Sequence, residues 1–109
     1  MIWEDVLKVL GMINIEQFQK RIQNVCSDLS LQRLDIVGSA AREDFSPSSD
    51  VDVVVSFGSD ERLFGRYFDL KERLEAIFER PVDVIEERAI KNPYFRRMIE
   101  KDRIRVYGT

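Results

Sequence analysis

The chain of 109 residues is predicted to fold as one α+β domain, a two-layer arrangement in which a mixed sheet of three to four short strands carries helices on one face. Three observations predict this. Apolar residues recur at helical spacing in four stretches, short runs rich in valine and isoleucine fall between them, and no linker, internal repeat or low-complexity segment divides the chain. Residues 1–109 therefore read as a single domain, long enough to bury one core.

Trp3, Val6, Leu7 and Leu10 share one face of a short helix that Gly11 stops. Asn14 then reads as the N-cap of a second helix, with Gln17 at its third position and Ile15, Phe18, Ile22, Val25, Cys26 and Leu29 along its apolar stripe. A strand follows over roughly Gln32 to Val37 and another over roughly Val51 to Phe57. Gly58-Ser59-Asp60 breaks the second strand and offers N-caps for a long helix. Its apolar stripe, Leu63, Phe64, Tyr67, Phe68, Leu70, Leu74, Ile77 and Phe78, is expected to be core, while Lys71 and Glu75 are expected off it. Arg80-Pro81 ends this helix, and Val82 to Ile85 forms a third strand. Asn92 caps a last helix with Pro93 at its first position, expected to bury Phe95, Met98 and Ile99. Ile104 and Val106, alternating with Arg103, Arg105 and Tyr107, suggest a terminal half-exposed strand.

Composition excludes several classes of function. No apolar run approaches the roughly 20 residues of a membrane span, and no basic-then-apolar leader opens the chain, so a cytoplasmic protein is expected. The 17 basic and 20 acidic residues are well mixed, which argues against a dedicated nucleic-acid surface. With no histidine, His-based triads and the common zinc sites are out, and the single Cys26 reads as a buried core thiol. Chemistry is left to carboxylates, hydroxyls, lysine and arginine.

The stretch from Gly38-Ser39 to Asp50-Val51-Asp52 carries the functional signal, a Gly-Ser pair separated by ten residues from an Asp-x-Asp pair. Strand alternation puts Asp50 and Asp52 on one face and the valines on the other. Two carboxylates about 4 Å apart, at an effective dielectric near 20, repel by roughly 4 kcal/mol. A hard cation such as Mg²⁺ is the natural compensator. Gly38 and Ser39 sit where a strand turns into a helix, a place suited to phosphate, with a glycine for close approach and N–H groups for the anion. The plainer reading is an ordinary turn followed by the start of a strand. Asp83, a carboxylate among apolar residues in a short strand, invites a functional reading of its own. If the strands of Asp50, Asp52 and Asp83 are neighbours, three carboxylates converge beside the Gly-Ser turn, the arrangement that two-metal phosphoryl or nucleotidyl transfer uses.

These motifs resemble the signature of the DNA polymerase β-like nucleotidyltransferase superfamily, specifically the minimal nucleotidyltransferases paired with HEPN-domain toxins. The resemblance covers the chain from the Asn14 helix onward and implies the nucleotidyltransferase fold. It implies phosphate contact by Gly38 and Ser39, metal binding and catalysis by Asp50, Asp52 and Asp83, and either phosphate contact or a surface salt bridge for Arg42. Mg²⁺, as two ions, would be the cofactor and ATP the substrate. The implied reaction is transfer of AMP from ATP to a hydroxyl, a tyrosine of a partner HEPN toxin, which makes the chain an antitoxin. Family members commonly read Gly-Ser-Arg-Ala-Arg-Gly, whereas this chain has Ala40 and Glu43 at the first arginine and last glycine. Those departures keep open a non-catalytic antitoxin that acts by binding alone. A small-molecule nucleotidyltransferase is disfavoured, because larger relatives hold nucleotide or acceptor with an additional helical domain for which this length leaves no space.

Overall fold

The computed structural model describes residues 15–38 and 50–108. In chain order the elements are α1 (Ile15–Asp28), β1 (Arg33–Val37), β2 (Val51–Ser56), α2 (Leu63–Phe78), β3 (Val82–Glu86), a 3-10 turn (Glu87–Ala89), α3 (Pro93–Lys101) and β4 (Ile104–Tyr107). The helix expected around Trp3 to Leu10 and the Asn14 cap lie outside the described residues. No helix among the described residues is long and apolar enough to cross a membrane.

The strands form one mixed sheet in the order β3-β2-β1-β4. β1 runs antiparallel to β2 and to β4, and β2 runs parallel to β3. A parallel pair needs a crossover between its strands, and α2 supplies it. The strand alternation then sorts the side chains. Leu34, Ile36, Val51, Val53, Val55, Val82 and Val84 face α1 and α2, where they pack with Ile22, Val25, Leu70, Leu74 and Ile77. Full burial of one such side chain contributes about 1.5–3 kcal/mol, so this face holds most of the core. On the other face α3 and the 3-10 turn close a smaller cluster of Val37, Val54, Ile90 and Ile99, with Ile85 packed against it. Val54 is buried there, which is why the run Val53-Val54-Val55 is apolar without alternating.

The α+β class and the mixed sheet are as the sequence suggested; the expectation that the helices share one face holds for α1 and α2, whereas α3 packs on the other face, where Ile99 meets Val37 and Val54. Three local expectations are also corrected. Phe64 and Phe68 are 79% and 49% exposed rather than core, because the buried side of α2 runs through Leu70, Leu74, Ile77 and Phe78 and leaves them turned away. Neither Ser59 nor Asp60 caps α2; its first turn follows Arg62 in a left-handed conformation, φ 47°, with no side-chain cap. Phe95 and Met98 of α3 are 43% and 71% exposed, and only Ile99 of that helix is buried. The Asn92 cap is as expected: its Oδ1 accepts from the N–H groups of Tyr94 at 2.9 Å and Phe95 at 3.3 Å.

Two arginine clusters tie the elements together. Arg66, 5% exposed, donates from its guanidinium to the carbonyls of Leu29, Ser30, Phe57 and Glu61 at 2.8–3.0 Å and of Ser59 at 3.3 Å. It thereby joins the ends of α1 and β2 to the start of α2. Asp35, fully buried in β1, accepts from Arg103 and from Arg105 of β4. Arg103 also reaches Glu87 at 2.7 Å and Glu100 at 2.7 Å, so one guanidinium links β1, the 3-10 turn and α3.

Candidate active site

The site begins with the register of β2 and β3. Asp52 pairs with Asp83 across the parallel ladder, so the two carboxylates stand on adjacent strands, about 5 Å apart at the backbone, on the same face of the sheet. Val37 is opposite Asp52 on the other side, and the next residue is Gly38. Gly38 has φ +69°, and a Cβ placed on it would lie 2.7 Å from Asp52 Oδ2. Only glycine accepts both the left-handed backbone and the closeness of that oxygen. The turn and the carboxylate are therefore one local structure.

Asp83 lies on an edge strand, and α2 holds that edge. Tyr67 donates its hydroxyl to Val84 O at 3.1 Å, Lys71 Nζ donates to Val82 O, and Glu75 Oε2 accepts from Val82 N at 3.0 Å. Side chains four residues apart on one helix face thus satisfy the outward backbone groups on both sides of Asp83. The Val82 N–H, with Lys71 beside it, holds the Glu75 carboxyl below the ordinary carboxylate range. Periodicity places Lys71 and Glu75 off the apolar stripe; only the packing of α2 against β3 shows what they bind.

Asp50 stands one residue before β2 and is exposed. The Val51 N–H beside it donates to Pro81 O at 3.0 Å, which brings this end of β2 against the start of β3. Ser39, Arg42, Ala40 and Glu43 lie outside the described residues. Among the described residues no group of three or more His, Cys, Asp or Glu side chains is gathered closely enough to hold a metal ion. The donors that do share this face, Asp52 and Asp83, are all-oxygen and anionic, which fits a hard cation such as Mg²⁺. The place a Cβ would take on Gly38 is filled by the Asp52 carboxylate itself, so the glycine backbone and the anionic donor stand in direct contact.

A cavity of about 300 Å³ opens here, lined by Val37, Gly38, Asp52, Ile85, Phe95 and Met98, with Ile99 at its base. A larger open groove of about 810 Å³ runs between α1 and β4, past Gln23, Ser27, Gln32, Arg105 and Tyr107. None of the carboxylates above lines it, so the smaller cavity is the one coupled to the candidate chemistry.

The fold corresponds to that of nucleotidyltransferases. A solved structure assigned as a minimal nucleotidyltransferase superposes with a TM-score of 0.67 at 26% identity, covering 83% of this chain and 90% of that one. The family model described as a nucleotidyltransferase domain matches residues 19–106. The chain belongs to that family, as a minimal nucleotidyltransferase domain. A protein of Methanocaldococcus jannaschii assigned as a protein adenylyltransferase is 32% identical over 94 residues, spanning 84% of this chain and 94% of the relative. A second from the same organism is 28% identical over 100 residues, spanning 92% of this chain and all of the relative. A chain of a solved complex described as a tri-AMPylated Shewanella oneidensis HEPN toxin with MNT antitoxin shares the fold, with a TM-score of 0.59 at 17% identity over 86% of this chain and 72% of that one.

Proposed function

We propose that the chain transfers AMP from ATP to a hydroxyl of a partner protein, a tyrosine of a HEPN toxin, and so acts as that toxin's antitoxin. The observation that carries the reading is the in-register pair Asp52 and Asp83 beside the glycine turn at Gly38. The relatives assigned as protein adenylyltransferases support a protein acceptor.

In this reading Gly38 and Ser39 take the outer phosphates of ATP, with Arg42 adding a positive charge to them. Asp50, Asp52 and Asp83 would hold Mg²⁺, and when bound the cation neutralises phosphate charge as the transfer proceeds. Asp83 receives the proton of the acceptor hydroxyl. The hydroxyl oxygen forms a bond to the α-phosphorus, the bond from that phosphorus to the α–β bridging oxygen breaks, and pyrophosphate leaves. The hydrogen bonds of Tyr67, Lys71 and Glu75 to β3 keep Asp83 in register with Asp52.

Ala40 and Glu43 motivate a second reading, a neutralising subunit that binds the toxin without modifying it. Intact masses separate the two. The chain, ATP, Mg²⁺ and the protein encoded beside it are incubated together, with Asp52→Asn as the control. Adenylyl adducts on the partner, absent with the variant, are the expected result. Tight binding without any adduct, retained by Asp52→Asn, selects the neutralising subunit and refutes the transferase.

A further inference from the structure

Phe95 and Met98 have the character of core residues and the exposure of surface ones, 43% and 71%. Both line the cavity that Gly38 and Asp52 also line, and Ile85 of β3 forms a further apolar wall. Its volume of about 300 Å³ is at the lower end of ligand-binding cavities. One end of this space is a carboxylate and a glycine turn of the kind that approaches phosphate. The other is an aromatic ring, a thioether and branched aliphatics. A nucleotide is divided in the same way, with charge at one end and a flat, weakly polar base at the other.

We propose that this cavity is the nucleobase subsite, in which Phe95, Met98 and Ile85 hold the base by apolar contact without reading its hydrogen-bonding edge, so that adenine and guanine nucleotides are accepted nearly alike. The inference rests on the nucleotidyl-transfer reading above. Continuity decides the occupant: a base is covalently joined to phosphates, and this cavity touches both Gly38 and Asp52. Chemistry decides the selectivity. Aromatic and thioether surfaces stack on any base. Strong discrimination requires donors and acceptors set against the base edge, and a pocket without them rejects analogues only weakly. The cavity's polar side chain among the described residues is Asp52, which stands at the phosphate end beside Gly38.

The test is equilibrium binding of ATP, GTP and inorganic tripolyphosphate to the purified chain in Mg²⁺, for wild type, Phe95→Ala, Met98→Ala and Asp52→Asn. Because Phe95 and Met98 are exposed, their truncation leaves the core intact, and a melting curve confirms it. ATP and GTP are expected to bind within about threefold of each other, and each roughly tenfold more tightly than tripolyphosphate. Phe95→Ala and Met98→Ala are expected to weaken both nucleotides by roughly three- to tenfold and leave tripolyphosphate unchanged. A preference for ATP over GTP greater than about tenfold overturns the proposal, since it demands edge recognition. Nucleotide affinity that equals that of tripolyphosphate, or that ignores both truncations, also overturns it and assigns the cavity to the acceptor's side chain. If none of the three probes binds, or binding is indifferent to Asp52→Asn, the nucleotidyl-transfer reading itself fails and takes the inference with it.

Discussion

Gly38→Ala is the substitution that most directly tests whether turn and carboxylate form one site. The added methyl meets two costs. At φ +69° an L-residue is in the left-handed region, which costs about 1–2 kcal/mol. Its Cβ would also stand 2.7 Å from Asp52 Oδ2, where close carbon–oxygen contacts begin at about 3.3 Å, so the carboxylate must withdraw by about half an ångström or more. Asp52 is short and can rotate, so the contact itself adds little to the stability cost and shows chiefly as displacement. At roughly 4–8 °C per kcal/mol, the midpoint of thermal unfolding is expected to fall by about 5–15 °C. On the proposed role of Asp52 in transfer, displacing its carboxylate by a fraction of an ångström is expected to lower the transfer rate by about 10–100-fold. The added stabilisation by Mg²⁺ and ATP should shrink in parallel. The assay is a melting series with and without Mg²⁺ and ATP, repeated in an Asp52→Ala background. There the backbone strain persists, but the carboxylate is gone and the contact contribution vanishes. Wild-type stability with an undiminished ligand shift would refute the reasoning, as would a stability cost that disappears in the Asp52→Ala background, where the backbone strain is unchanged.

Other consequences follow from the arginine clusters and the thiol. Arg66→Met strips hydrogen bonds from carbonyls in three segments and is expected to cost about 3 kcal/mol by urea unfolding, with Arg66→Lys recovering only part because an ammonium lacks the guanidinium fork. Arg103→Met leaves the buried Asp35 with Arg105 alone and is expected to cost about 3–5 kcal/mol, whereas Asp35→Val together with Arg103→Met should restore much of the loss. Burial raises the Glu87 carboxyl, but the hydrogen bonds and charges of Arg103 and Arg96 outweigh it and hold the group below its ordinary 4.5. A depressed carboxylate stabilises the fold above its unfolded value and loses that contribution as pH falls below about 4.5, so Glu87→Gln should flatten the acid limb of a stability–pH profile. Burial, only partly offset by Arg73, pushes the Cys26 thiol from 9.0 up to about 12, so native protein should resist alkylation at pH 8 and react only on unfolding. Stability should correspondingly decline as pH rises from about 9 towards 12.

Much of the molecule is legible in the period and punctuation of its sequence. The alternation of Val51, Asp52 and Val53, the lone Asp83 in a short strand and the Asn92-Pro93 cap each have a local cause, since a strand's faces and a helix's first turn depend on residues a few positions apart. The same locality limits what can be read. Whether an apolar helix residue is core depends on which side of the helix meets the sheet. Phe64, Phe68, Phe95 and Met98 have the right chemistry and point the wrong way. Lys71 and Glu75 look like solvated charges until β3 offers them its unpaired edge. Asp35 and Arg103, 68 positions apart, carry no local signal of the ion pair they form.

The sequence by itself determined the helices and strands from Ile15 onward, the α+β class and the residue types available for chemistry, because these follow from short-range periodicity and from an inventory that lacks histidine. Only the tertiary structure decided that β2 and β3 are parallel neighbours in the register that pairs Asp52 with Asp83. It also decided that Gly38 closes on Asp52, and that α3 turns an aromatic and a thioether into the cavity they share. Those outcomes depend on the crossover of α2 and the packing of α3, which are long-range contacts selected by burial of the whole core rather than by any one stretch of the chain.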